Sequence, residues 1–176
     1  MRTKGEGVPA VFFDRDGTLN VDVHYLHRPE EFIWMPDAPA AIRRLNECGI
    51  LAVVVTNQSG VARGYYLEED VLRLHDWMNE DLKKKGAHID AFFYCPHYME
   101  GKFPEYARLC NCRKPATGMI DAACEKYGID RHRAVMIGDA ERDMECARRA
   151  GLRGMRYTGG SLLDMVEEVL EILVQP

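Results

Sequence analysis

The sequence predicts an α/β protein: a three-layer, Rossmann-like fold with one parallel sheet and helices on both faces. Three observations carry this expectation. Short apolar runs at 11–13, 50–55, 89–94 and 134–137 recur without polar alternation, the mark of strands buried on both faces. Between them lie stretches with apolar residues at helical spacing. Most of these stretches are closed by Gly49, Gly86, Gly128 or Gly151, glycine being the residue that ends helices in a left-handed turn. Such alternation builds right-handed βαβ units and a sheet covered on both sides.

Residues 1–7 are polar and expected to fray. The first strand runs into Asp14-Arg15-Asp16-Gly17-Thr18-Leu19. The loop at 20–36 interleaves His24, Tyr25, His27, Phe32 and Trp34; it is long for a βα connection, and such loops either carry function or tuck onto the core. Ala41, Ile42 and Leu45 place a helix at 38–48, followed by the second strand and Thr56-Asn57-Gln58-Ser59-Gly60. Val71, Leu72, Leu74, Trp77, Met78 and Leu82 give an amphipathic helix at 67–85 before the third strand. From 95 to 115 no period is visible. A helix at 117–127 then leads to the fourth strand and Gly138-Asp139. A helix at 141–150, a short strand at 152–157 and a helix at 161–173, with Ser161 as N-cap, complete the series. No repeat or linker is evident, so a single domain over 1–176 is expected, without a large cap.

With 47% hydrophobic and 29% charged residues in 176, the chain suits one globular core. A net charge of −5 argues against nucleic acid as a partner, since that footprint is basic. No apolar stretch approaches the roughly 20 residues that span a bilayer, and the segment before Asp14 is too short for a secretory signal. No membrane partner and a cytoplasmic location are therefore expected, with a monomer as the default. Of six cysteines, Cys95, Cys110 and Cys112 cluster; Cys48, Cys124 and Cys146 fall in helical patterns and read as small core residues.

The chemistry lies at strand ends. Asp14 and Asp16, one residue apart, repel unless a cation, proton or donor sits between them. A divalent cation with oxygen ligands answers this, and Mg²⁺ prefers one or two carboxylates with substrate oxygens. The Thr56 hydroxyl and the following N–H groups suit a phosphoryl oxygen. Lys114 supplies a compact positive charge, and Asp139 and Asp143 stand one helical turn apart. Cys95-Pro96-His97 and, twelve residues on, Cys110-Asn111-Cys112 offer three thiols and an imidazole, which suit a closed tetrahedral Zn²⁺ site. A redox disulfide between two of these cysteines is the alternative.

Asp14-x-Asp16-Gly17-Thr18, Thr56, Lys114 and Gly138-Asp139-x-x-x-Asp143, in this order at successive strand ends, resemble the four motifs of the haloacid dehalogenase superfamily of aspartate-nucleophile phosphatases. The resemblance implies that Asp14 attacks phosphorus and that Asp16 is the acid and base. It also implies that Thr56 and Lys114 hold the phosphoryl oxygens, and that Mg²⁺ is bound by Asp14, the Asp16 carbonyl and Asp139. Asp143 orients Asp139 or Lys114 from behind.

With Thr56-Asn57-Gln58-Ser59-Gly60-Val61-Ala62-Arg63-Gly64, Cys-Pro-His and Cys-x-Cys-Arg-Lys-Pro, the chain is similar from about 11 to 150 to the heptose bisphosphate phosphatase family. That family removes the 7-phosphate of a heptose 1,7-bisphosphate during nucleotide-activated heptose synthesis. The substrate would then be a small sugar bisphosphate, recognised by Arg113. Asp22, Val23, His24 and Tyr25, with Asn57, Gln58 and Ser59, would face it, and the zinc loop would be structural. The histidinol-phosphatase family shares the cysteine motif and Arg-Lys-Pro but usually continues Thr-Asn-Gln with Asp-Gly, where this chain has Ser59-Gly60. Relatives often carry Lys after the fourth motif's Gly-Asp; this chain has Ala140, with Arg142 nearby. A phosphotransferase and a non-catalytic sugar-phosphate binding module are further alternatives; retention of Asp14, Asp16 and Asp139 speaks against the latter.

Overall fold

The computed structural model describes residues 7–174; of the stretch 1–7 expected to fray, all but Gly7 lies outside the described residues, and the Gly7 carbonyl accepts from Arg133 Nη1 at 3.3 Å. Five strands, β1 (Val8–Phe13), β2 (Leu51–Asn57), β3 (Ala91–Cys95), β4 (Ile129–Gly138) and β5 (Arg153–Arg156), form one sheet in the order β3-β2-β1-β4-β5. Every neighbouring pair is parallel. Six α-helices connect and cover them: α1 (Ala38–Glu47), α2 (Gly60–Arg63), α3 (Glu68–Lys84), α4 (Gly118–Tyr127), α5 (Glu141–Ala150) and α6 (Leu162–Val174).

Successive residues of a strand point to opposite faces, and here both faces are apolar. Val11, Phe13, Val54, Val135 and Ile137 pack against Ile42 and Leu45 of α1, Leu74, Met78 and Leu82 of α3, and Val166 and Val169 of α6. Phe12, Val53, Val55 and Met136 face the other way, against Ile120 and Ala123 of α4 and Cys146 and Ala147 of α5. These side chains are essentially inaccessible to water, and each buried large one stabilises the fold by roughly 1.5–3 kcal/mol. Two cores on one sheet make the three layers. No large cap interrupts the described residues, and no helix among them is long and apolar enough to cross a membrane.

Three details depart from the expected elements. β4 begins at Ile129 rather than 134, pairing with Val8 before the register shifts between Val8 and Ala10; its polar opening, Asp130-Arg131-His132-Arg133, hid it. The turn after β2 contains the one-turn helix α2. Cys48, expected in a core, is exposed at the end of α1, whereas Cys146 is buried and Cys124 half-buried. Ser161 accepts the Asp164 N–H at 3.0 Å, the expected cap, and shares the task with Asp37, which accepts the Leu162 and Leu163 N–H groups at 3.0 and 3.1 Å.

The chain leaves β1 toward β2 and β3, then returns to β1's other edge as β4. The carboxyl ends of β1 and β4 thus flank the switch point, where open α/β sheets bind ligands.

Candidate active site

At that switch point Asp14 follows β1, its N–H bonded to the Ile137 carbonyl at 3.0 Å. Lys114 Nζ lies 2.9 Å from Asp14 Oδ1 and 2.7 Å from Asp143 Oδ1, with all three side chains buried. Burial pushes the Asp14 carboxyl up, Lys114 pulls it back, Asp143 pushes it up again, and it settles at about 7. For Lys114, burial opposes the charge, but the two carboxylates outweigh it and raise its pKa. Asp143 also accepts the Ala140 N–H at 3.1 Å, closing the first turn of α5. Of the two orientation roles expected for it, the ion pair favours Lys114.

Asp14, Asp139 and Asp143 each present an oxygen within 4.8 Å of the others. Three carboxylates against one ammonium leave an excess of negative charge in a buried place, which a divalent cation offsets; the donor set fits Mg²⁺. Gly17 makes the close approach feasible. At φ +84° it sits in the left-handed region, and a Cβ there would collide with the Asp139 carboxylate. The Thr18 hydroxyl lies 3.4 Å from Asp139 Oδ1. The Asp16 carboxylate is outside this triad, leaving its carbonyl for the role the resemblance gave it.

Asp16 is instead held by three side chains. Arg15 meets both of its oxygens, Nε to Oδ1 at 3.2 Å and Nη2 to Oδ2 at 3.1 Å; Asn20 Nδ2 reaches Oδ1 at 3.0 Å and Gln58 Nε2 reaches Oδ2 at 3.0 Å. Burial pushes its carboxyl up, but Arg15 and these hydrogen bonds outweigh it and lower the pKa. Thr56, buried at the end of β2, accepts from Gln58 Nε2 at 2.9 Å, which leaves its own proton free for an incoming oxygen. Asn57 clamps the backbone of Lys114 reciprocally, donating to its carbonyl at 3.1 Å and accepting its N–H at 2.9 Å.

Asp16 opens onto a cleft of about 320 Å³ walled by Asp22, His24, Tyr25, Asn57, Gln58, Ser59, Arg63, Tyr66, Arg113 and Arg142. Val23 is exposed beside this wall but not part of it. Gln58 lines the cleft with its polar atoms already engaged, Oε1 by the Tyr66 hydroxyl at 2.6 Å. Asp22 accepts the His24 N–H at 2.9 Å, and His24 and Tyr25 take φ values of 58° and 56°, a conformation costly for residues with a Cβ and found where a loop is shaped for function. The Arg63 guanidinium stacks 3.8 Å from the Tyr98 ring centre, with Arg113 at 5.3 Å. A larger cavity of about 720 Å³ touches Gly17 and Asp139 from the α6 side, but no Lys or Arg lines it, so it suits a phosphorylated ligand poorly.

Cys95 ends β3, and the irregular segment after it brings His97, Cys110 and Cys112 to it, one donor atom of each within 4.8 Å of the rest. Cys95 Sγ lies 3.0 Å from Cys112 and 3.6 Å from Cys110, and His97 Nδ1 lies 3.3 Å from Cys112. Hydrogen bonding by Cys95 first, then His97, holds the Cys112 thiol down to about 5; the same shared proton pushes Cys95 up. A site that favours thiolate fits a thiophilic cation. Tyr94 and Tyr106 anchor the segment to α3, donating to the two oxygens of Glu68 at 2.6 and 2.8 Å.

No local pattern marks the supports. Arg15, Tyr66 and His75 are buried polar side chains around Asp16. Arg63, in a stretch quoted only as a family pattern, stands in the cleft wall.

Known proteins resemble this arrangement. A family model described as "HAD-hyrolase-like" matches residues 111–169. The D-glycero-beta-D-manno-heptose-1,7-bisphosphate 7-phosphatase of Rhodopseudomonas palustris is 44% identical over 162 residues, 92% of this chain and 90% of that protein. A D-glycero-alpha-D-manno-heptose-1,7-bisphosphate 7-phosphatase of Photorhabdus laumondii is 41% identical, over 82% of this chain and 79% of that one. The crystal structure of D,D-heptose 1,7-bisphosphate phosphatase from B. bronchiseptica, complexed with magnesium and phosphate, superposes with a TM-score of 0.78 at 29% identity, covering 93% of this chain and 99% of that chain.

Proposed function

Because this chain belongs to the heptose-1,7-bisphosphate 7-phosphatase family of the haloacid dehalogenase superfamily, we infer that it removes the 7-phosphate of D-glycero-D-manno-heptose 1,7-bisphosphate. It is a phosphoric monoester hydrolase. The observation that carries the substrate reading is the pairing of a buried Asp14–Lys114–Asp143 centre with a cleft walled by three arginines. A molecule with one phosphate at Asp14 still has a second to neutralise.

In this reading Asp14 Oδ attacks phosphorus as the sugar C7–O–P link breaks, giving an aspartyl-phosphate and splitting one hard step into two. Asp16 gives its proton to the departing oxygen, then takes one from the water that hydrolyses the intermediate. Its lowered pKa keeps it anionic at rest, and the negative charge of an entering phosphate raises its proton affinity. Thr56 and Lys114 hold the equatorial oxygens. Asp14, Asp139 and the Asp16 carbonyl would hold Mg²⁺, which offsets charge on the transferring group. Cys95, His97, Cys110 and Cys112 would hold a structural Zn²⁺. We read the protein as a cytoplasmic monomer, since a self-contained cleft for a small polar ligand needs no second copy.

Phosphate release in Mg²⁺ from both anomers of the bisphosphate and from histidinol phosphate, with Asp14→Asn as control, tests this. Release from the bisphosphate that vanishes in the control is expected. Preference for histidinol phosphate overturns the substrate while leaving the chemistry.

A further inference from the structure

Asp16 takes its orientation from Arg15, and Arg15 in turn from a histidine sixty positions away. The Arg15 side chain is wholly buried. Besides the two bonds to Asp16, its Nη2 donates to the Leu26 carbonyl at 2.9 Å, and its Nη1 lies 3.3 Å from His75 Nε2. A guanidinium has donors only, so Nε2 must be the acceptor and the ring proton must sit on Nδ1. That tautomer requires a neutral ring, and burial, with the Arg15 charge, holds the His75 pKa down to about 3. The imidazole, on α3, stacks on Phe92 of β3 at 4.4 Å and 14° and meets the edge of Tyr94 at 6.0 Å.

This placement is costly in stability. His75 Nδ1 is buried without a hydrogen-bond partner among the described residues, and a buried unsatisfied N–H costs roughly 1–3 kcal/mol. An apolar side chain would fill the same slot against Phe92 without that loss. What it could not do is accept from Nη1. With Nη1 unanchored, the Leu26 carbonyl is left as the fork's one hydrogen-bonding anchor besides Asp16 itself.

We propose that His75 is a positioning residue for proton transfer: it locks the Arg15 guanidinium and thereby aims the Asp16 carboxyl at the leaving oxygen. This rests on the reading of Asp16 as the acid. The contribution belongs to the step in which the C–O–P bond breaks, the pair of electrons stays with the sugar oxygen and the Asp16 proton joins it. A poor leaving group needs that proton; p-nitrophenolate leaves without it.

The test compares kcat/KM, which reports on this first step, for the sugar bisphosphate and for p-nitrophenyl phosphate in wild type, His75→Leu, His75→Gln and Asp16→Asn. His75→Leu is expected to lose about tenfold on the sugar substrate and less than about twofold on the aryl ester, a fraction of the roughly 10²–10⁴-fold that a general acid contributes, because Asp16 itself is kept. The Gln amide oxygen can accept from Nη1, so His75→Gln should recover most of the loss. Equal losses on both esters, or none, in a His75 variant whose melting temperature is intact would overturn the proposal. If Asp16→Asn also fails to discriminate the esters, the acid role itself is wrong; if it discriminates and His75 does not, only the positioning role falls.

Discussion

Two clusters of residues that could hold a metal ion are held by different means. The carboxylate cluster projects from the ends of β1 and β4 and the start of α5, on a sheet with an apolar core on each face. Of the thiol cluster, Cys95 ends β3 inside one of those cores, and Cys110 and Cys112 pack against it. His97, Cys110 and Cys112 lie on a segment with no regular structure between β3 and α4, supported by Glu68 and a small group of Val61, Tyr66 and Val71. The first has its geometry from the backbone and needs an ion for charge. The second has one ligand on the sheet and three on irregular backbone. Yet Cys112, Arg113 and Lys114 are consecutive, so the thiol cluster adjoins Lys114, which pairs with Asp14 and Asp143, and Arg113, which lines the cleft.

Breaking the two clusters separately should therefore give different signatures. The largest effect is expected for Asp14→Asn, a loss of at least about 10³-fold in phosphate release, with the melting temperature within a few degrees of wild type. A matching collapse in stability would show that the carboxylate cluster is not carried by its sheet. Cys110→Ser, or stripping metal with a chelator, is next. Loss of a loop cross-link should cost about 3 kcal/mol, or roughly 6–12 °C in a domain of this size, with turnover falling as Lys114 loses its support. Calorimetry and phosphate release on one sample would check both, and an unchanged melting temperature would mean that the loop holds itself.

The pH dependence is smaller. Unfolded His75 takes up a proton below its ordinary value of 6.5, whereas the folded protein resists until about 3; stability is therefore lost as pH falls through that window. His75→Gln removes this component, so between pH 6.5 and 5 wild type should lose about 1.5 kcal/mol more than the variant in denaturant titrations. Parallel curves would refute the neutral buried ring. The smallest effect is Tyr106→Phe, at about 1 kcal/mol for one hydrogen bond, seen as a slightly lower melting point.

How legible each region was in the sequence follows the same division. Strand ends announced themselves, because an apolar run followed by Asp or Thr-Asn is a local pattern, and Asp14, Thr56 and Asp139 all stand where such runs stop. The supports did not. Nothing local distinguishes His75 from the other polar residues of α3; its meaning arises only when the fold brings Arg15 beside it. Arg15 itself read as a spacer between two aspartates, although its side chain determines how one of them is presented. Likewise the reciprocal bonds between Asn57 and Lys114 span 57 positions. The opening of β4 was missed for another reason: a pairing with Val8 through Ile129 alone does not need the apolar run that marks a doubly buried strand.

The strand order also has a consequence for how the protein is made. β1 sits at the middle of the sheet, with β2 on one edge and β4 on the other. As the chain leaves the ribosome, β2 arrives early, but Ile129 follows Val8 by more than a hundred residues. At roughly 5–20 residues per second that is a wait on the order of ten seconds. Throughout it, one hydrogen-bonding edge of β1 and the apolar faces beside it have no partner. The strand that leads into Asp14 is thus the first to be synthesised and among the last to be enclosed, and a nascent chain stalled before residue 129 offers neighbouring chains an open edge.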